Sequence, residues 1–178
     1  AVPLFLRSSE ETNLFGQELY SFIHPIADHF KQHEALLRAI CMMADAGASM
    51  HPDHRAQLVY EQVLRAPIPS VSHAERLYAA FAMASRYTFK FIEEPRYAGI
   101  LKLRMKRRAK ILGTAMRLGA VYSGRSGPIL ETARLKSVDN TLCMYVDRGY
   151  SDLISDKVES RLGQLAGLMK LHPRLIVQ

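Results

Sequence analysis

Four residues in the first third of the chain have side chains that bind divalent metals in many proteins. Asp45 is followed by His51, Asp53 and His54. Carboxylates and imidazoles hold a metal when three or four of them converge on it. These residues are too few to surround a metal completely, so we expect at most a degenerate metal or phosphate site at Asp45, His51 and His54. The alternative is that Asp45 and Asp53 cap helices while the histidines make local hydrogen bonds.

A strongly cationic segment is the second feature that could have a chemical function. From Arg86 to Lys136 there are 13 basic and 3 acidic residues, whereas the rest of the chain has 11 basic and 14 acidic ones. Such asymmetry attracts a polyanion, which means polyphosphate, nucleic acid or an acidic protein surface. The alternative is a solvated helix face that keeps the protein soluble. The predicted polyanion-binding residues are Arg55, Arg86, Lys102, Arg104, Lys106, Arg107 and Arg108.

No complete catalytic set accompanies these charges. The sequence has no nucleophile elbow, no Gly-rich phosphate loop and no paired catalytic carboxylates. Residues 124–127 form a loop that offers only a weak anion-binding signal. Cys41 and Cys143 lie far apart in apolar surroundings, which excludes a CxxC metal site and indicates the reducing cytoplasm. We therefore expect the isolated chain to be inactive and to bind no cofactor.

Composition narrows the class of protein further. The 178 residues are 48% hydrophobic and 23% charged, which is typical of a globular protein and excludes disorder. No apolar run approaches the roughly 20 residues that a membrane span needs, so we expect no membrane association. The chain does not begin with Met, which favours a fragment or a processed piece of a longer protein.

Helical spacing of apolar residues dominates the first two thirds of the chain. It predicts helices over residues 8–31, 34–45 and 53–65, one that begins after Ser72 and stops before Pro95, and one over 99–122. Capping boxes are predicted at residues 8–11 and 72–75, and Asp53 is the expected cap of the third helix.

The period then changes to that of strands. Residues 133–138 and 142–146 are predicted to form a hairpin around Asp139 and Asn140. A helix capped by Ser151 or Asp152 and a third strand near residues 175–177 complete a ββαβ unit. The predicted fold is therefore mostly α, with a helical body at residues 1–125 and a small α+β unit at 126–178.

Four ordered blocks of the sequence resemble the exopolyphosphatases and guanosine pentaphosphate phosphohydrolases, in particular their alphaproteobacterial form. The blocks are residues 37–55, 73–87, 107–117 and 158–166. The resemblance extends over the chain from about Ser8 onward. It implies that the helical body is a degenerate version of the His-Asp phosphohydrolase fold, because Ala44 stands where an adjacent His-Asp pair has its histidine.

The resemblance also implies a role for the chain. It is expected to be the C-terminal region of an exopolyphosphatase, which binds polyphosphate and helps to form a homodimer. Catalysis and the magnesium site of the full-length enzyme are then expected in N-terminal actin-like domains of the same polypeptide. The substrate is polyphosphate, guanosine pentaphosphate or both.

Two other functions remain open at this point. One is a stand-alone metal-dependent phosphohydrolase of the His-Asp type that uses Asp45, His51 and His54. The other, less favoured, is a nucleic-acid-binding module that relies on the cationic segment.

Overall fold

A computed structural model describes residues 10–67, 71–93, 97 and 99–178 of the chain. Its helices are α1 (Glu10–Ile23), α2 (Glu34–Met42), α3 (Arg55–Arg65), α4 (His73–Tyr87), α5 (Leu103–Ser123), α6 (Gly127–Leu130) and α7 (Asp156–Met169). Its strands are β1 (Ala133–Val138), β2 (Thr141–Val146) and β3 (His172–Val177), and short 3-10 helices span His24–His29 and Arg148–Leu153. The fold is mostly helical with a small C-terminal sheet, as the sequence predicts.

Helices α4 and α5 form the centre of the helical body. Every residue of α4 from Leu77 to Arg86 is buried, and α5 is buried on most of its surface from Ala109 onward. Helices without a polar face belong inside a protein. The two helices approach closely at Gly113, where an added Cβ would lie 2.3 Å from the carbonyl oxygen of Ala82. This contact brings the second half of α5 against the end of α4.

The sheet has the order β1-β2-β3 and confirms the predicted ββαβ arrangement. Strands β1 and β2 pair antiparallel around a turn in which Asp139 has a φ of 50°, and β3 pairs parallel to β2 after α7. One face of the sheet is apolar and buried, with Leu135, Met144 and Val146 among its residues. This face joins the hydrophobic core of the helices. The predicted division of the chain at residue 125 stays a prediction.

The capping box at Ser72 and Glu75 is confirmed by reciprocal hydrogen bonds. The first helix ends at Ile23 rather than near residue 31, because Pro25 has no N–H to continue the α-helical ladder and a 3-10 helix follows. Its predicted capping residues, 8 and 9, lie outside the described residues. No α-helix among the described residues is both long and apolar enough to cross a membrane.

Two predicted helix caps are wrong. Helix α3 begins at Arg55 after His54, whose side chain makes no capping bond, so Asp53 does not cap it. Helix α7 begins at Asp156, whereas Ser151 and Asp152 lie in the preceding 3-10 helix. In both places several polar residues precede the helix, and the path of the chain decides where the helix begins.

Candidate functional site

A cleft of about 230 Å³ opens where the end of α4, the beginning of α3 and the last turns of α5 meet. Each of these elements contributes cationic side chains, and we call it the arginine cleft. It is lined by Arg55, Arg86, Tyr87, Arg117, Ala120, Val121, Gly124 and Arg125.

Tyr87 organises one wall of the arginine cleft. Its hydroxyl donates to the carbonyl oxygen of Ala44 at 3.0 Å and accepts from the N–H of Gly47 at 3.1 Å, which fixes the loop after α2 to the end of α4. A Cβ on Gly47 would lie 2.9 Å from the Tyr87 ring, so this close approach requires glycine. The ring centroid lies 4.7 Å from Cζ of Arg86 and 5.4 Å from Cζ of Arg55, within cation–π range.

Arg86 is the most deeply buried of the cleft's cations, at 5% exposure. Its Nη2 donates to Oδ1 of Asp45 at 2.7 Å. Its Nε is buried and has no hydrogen-bond partner among the described residues. A buried guanidinium needs an anion to offset its desolvation, and Asp45 supplies part of what it needs.

Arg117 has cations rather than carboxylates as neighbours. It is partly buried, and within the described part of the chain its side chain makes no ion pair or hydrogen bond. Burial first, and then the nearby guanidinium groups of Arg161 and Arg86, lower its pKa below the usual range for arginine. Like charges brought together out of water destabilise one another, so an anion placed beside Arg117 would be strongly attracted.

Arg125 is held in an unfavourable backbone conformation at the mouth of the cleft. Its φ is 72°, directly after Gly124 at 59°. Its N–H donates to the hydroxyl of Ser123 at 3.1 Å, and that hydroxyl donates to the carbonyl of Gly119 at 2.9 Å. A left-handed residue other than glycine costs about 1–2 kcal/mol, and such strain is concentrated at ligand sites.

The cleft has a net positive charge with one carboxylate beside it. Its four arginines carry four positive charges, and Asp45 removes one of them. Arg55 is oriented by two hydrogen bonds from Nε and Nη2 to the carbonyl of Met50, at 3.2 and 2.8 Å. Planar guanidinium groups bind oxyanions through paired hydrogen bonds, so the arrangement suits a ligand with several phosphoryl groups.

The cleft includes only part of the predicted polyanion-binding set. Arg55 and Arg86 line it. The other five residues lie at the beginning of α5, where Lys102 and Arg104 are exposed and Lys106 forms an ion pair with Glu93.

Of those five residues, Arg107 contacts another helix and Arg108 contacts a residue one turn earlier in α5. Arg107 donates from Nη2 and Nε to the carbonyl of Leu168 in α7, at 2.6 and 3.1 Å. Arg108 is partly buried, with Nη1 3.8 Å from the sulfur of Met105. Binding of a polyanion by Lys102, Arg104, Lys106, Arg107 and Arg108 stays a prediction.

The predicted metal ligands do not come together. Asp45 faces Arg86, while His51 and His54 are exposed with ring centroids 5.9 Å apart. His51 accepts from the N–H of Asp53 at 3.4 Å, which is a local contact. Among the described residues no three His, Cys, Asp or Glu side chains are close enough to share an ion. Asp45, His51 and His54 form no such group in the described part of the chain, and a degenerate metal or phosphate site at these residues stays a prediction.

Two arginines of the cleft do not belong to the polyanion-binding set that the sequence predicts. Arg117 interrupts an otherwise apolar run in α5, between Met116 and Leu118, and this isolated charge was the available signal. Arg125 follows a glycine in a loop whose anion-binding signal was weak. Neither position indicates by itself that the side chain meets Arg55 and Arg86.

A family model described as "Exopolyphosphatase, C-terminal" matches residues 11–176 of the chain. A search of curated proteins found no match.

Proposed function

Because the chain belongs to the family of exopolyphosphatase C-terminal domains, we propose that it holds long-chain polyphosphate, and that the arginine cleft is the binding site. The observation that carries this proposal is the environment of Arg117. A partly buried guanidinium with two arginines and no described carboxylate beside it is destabilising in the free protein. It becomes favourable when an oxyanion occupies the cleft.

Polyphosphate fits the charge of the cleft. It carries about one negative charge per phosphate and has oxygens on every unit, so it can accept hydrogen bonds from several guanidinium groups in succession. The exposed Lys102 and Arg104 lie about 20 Å along α5 from Arg117 and would contact a more distant stretch of the same polymer.

The proposal assigns catalysis to other parts of a longer polypeptide. Terminal phosphate would be released in N-terminal actin-like domains with bound magnesium, in a cytoplasmic enzyme that forms a homodimer. The described residues do not fit a divalent metal, because no trio of ligand side chains forms among them. We therefore expect the chain alone to bind polyphosphate but to release no phosphate from it. Guanosine pentaphosphate, with its shorter run of phosphates, is expected to bind more weakly here.

The test compares two arginines of the same helix. Arg117→Gln and Arg104→Gln each remove one positive charge from α5, but only the first lies in the cleft. A charge-assisted hydrogen bond contributes about 1.5–3 kcal/mol, so Arg117→Gln should weaken polyphosphate binding about tenfold or more. Arg104→Gln should change the affinity by less than about twofold, since an exposed charge interacts weakly. Titrations at two salt concentrations would also give a smaller salt slope for Arg117→Gln.

Thermal unfolding provides the structural control. Loss of Arg117 removes repulsion from Arg86 and Arg161, so the variant should be at least as stable as the parent protein. A variant that is stable but binds poorly indicates a binding role. If Arg104→Gln weakens binding while Arg117→Gln does not, the polyphosphate site is the beginning of α5 and the cleft proposal fails.

A further inference from the structure

On one face of the C-terminal sheet the two edge strands expose basic side chains. Along β1 buried residues alternate with residues that point to this face, whereas Cys143 of β2 is buried although the pairing register places it on the same face. On this face Arg134, Lys136, His172 and Arg174 are exposed. We call this surface the outer sheet face. None of these basic side chains forms an ion pair with an acidic residue of the described chain.

The pairing register arranges the outer sheet face in rows across the three strands. Lys136, Cys143 and Arg174 form the middle row, and Arg134, Tyr145 and Ile176 form the next. Neighbouring strands are about 4.8 Å apart, and rows two residues apart along a strand are separated by about 6.7 Å. The middle row therefore has a basic residue on each edge strand and the next row has one on β1, with uncharged residues of the central strand beside them.

The central strand contributes an aromatic ring to this face rather than a charged side chain. Tyr145 is partly exposed, and Cζ of Arg134 lies 5.2 Å from the centroid of its ring. Tyrosine rings and guanidinium planes both stack on nucleobases. Glu131 and Asp147 border the cavity of about 50 Å³ beside Arg134 and Tyr145, so acidic side chains lie at that end of the face, whereas the middle row has basic side chains and no acidic ones.

From this arrangement we propose that the outer sheet face binds single-stranded nucleic acid, with a base on Tyr145 and phosphates against Lys136 and Arg174. A bare phosphate chain has no group that would stack on the ring of Tyr145 in the uncharged central strand. A nucleic acid strand has both parts, since its bases stack on the ring while its backbone meets the basic edge. This activity is separate from the arginine cleft and does not depend on it.

The test is a fluorescence polarisation titration of the full chain with a short labelled oligothymidylate at low and at physiological salt. Lys136→Gln/Arg174→Gln should weaken binding about tenfold and reduce the salt slope by about 1.4, because single strands lose about 0.7 per phosphate contact. Tyr145→Leu keeps an apolar side chain but removes the aromatic ring, so it should weaken binding about fivefold or more through lost stacking.

A matched control separates this face from general cationic attraction. Arg148→Gln/Lys157→Gln removes the same charge from exposed positions of the same unit and should leave the affinity within about twofold. The proposal is overturned if the parent chain does not bind the oligonucleotide at low salt, if the control pair weakens binding as much as the face pair, or if Tyr145→Leu binds as the parent does. Polyphosphate could also compete with the oligonucleotide for the parent chain. If Lys136→Gln/Arg174→Gln abolishes that competition, the outer sheet face binds polyphosphate and the proposal is equally overturned.

Discussion

The ion pair between Asp45 and Arg86 allows a quantitative test of how the cleft is built. Asp45→Ala would leave the guanidinium of Arg86 buried with its main anionic partner gone. Asp45 is 14% exposed and Arg86 5%, so water would offset little of this loss. We expect a clear loss of stability with the fold retained.

The magnitude follows from the burial of both partners. Removing one member of a buried ion pair costs about 3–5 kcal/mol. Arg86 keeps its contact with the ring of Tyr87, so the lower end of that range applies, at about 3 kcal/mol. For a protein of this size about 1 kcal/mol corresponds to about 2–4 °C in Tm, which gives a decrease of about 6–12 °C.

The assay is urea and thermal unfolding of Asp45→Ala beside Asp53→Ala. Asp53 has a side-chain exposure of 79% and lies 3.8 Å from His51, so its removal should cost less than about 0.5 kcal/mol. A double-mutant cycle with Arg86→Ala should give a coupling energy of about 2 kcal/mol between Asp45 and Arg86.

Polyphosphate binding gives a second readout of the same variant. Because Asp45→Ala adds one net positive charge beside the cleft, the affinity should stay the same or increase. If Asp45→Ala is as stable as Asp53→Ala, or shows no coupling with Arg86, the argument from the buried pair is refuted. A metal-dependent loss of polyphosphate binding in Asp45→Ala would restore Asp45 as a ligand.

Three other substitutions, one of them a control, test the packing and the capping of α4. Gly113→Ala should destabilise the protein by about 1–3 kcal/mol in urea unfolding, and it should weaken polyphosphate binding, because the new Cβ would lie 2.9 Å from the backbone nitrogen of Arg86. Gly163→Ala, in α7 with no atom within 4 Å of the added Cβ, should instead be neutral or stabilising, and equal effects of the two variants would contradict the close approach of α4 and α5. Hydrogen bonds from the hydroxyl and N–H of Ser72, and then from His33, hold the pKa of Glu75 at about 2, well below the ordinary 4.5. A depressed carboxylate pKa stabilises the folded state above the unfolded-state pKa and loses that effect as pH falls, so acid unfolding curves should diverge between the parent and Glu75→Gln above pH 4.5 and converge near pH 2. A constant difference across that range would show that Glu75 does not act through its charge.

Much of the local structure could be predicted from the sequence, and so could the excess of positive charge that motivates the proposed anion binding. The capping box at Ser72 and the hairpin at Asp139 rest on short-range chemistry, which neighbouring residues specify by themselves. The attraction for a polyanion rests on an excess of Lys and Arg in one segment, and counting is sufficient to find it. Helix boundaries were less certain, because Asp53 and Ser151 are acceptable caps that the chain does not use.

Which arginines line the cleft depended on the tertiary structure. Arg55, Arg86 and Arg117 belong to three different helices, and they converge because α4 meets α5 at Gly113 and Tyr87 holds the loop at Gly47. Asp45 was a plausible metal ligand by type, but its partner is Arg86, 41 positions away, rather than the nearby histidines. A charge pattern along the chain indicates only the sign of the ligand that we propose. Only packing decides which charged side chains are buried together. The free-energy cost of burying them without a partner favours the binding of a ligand of opposite charge.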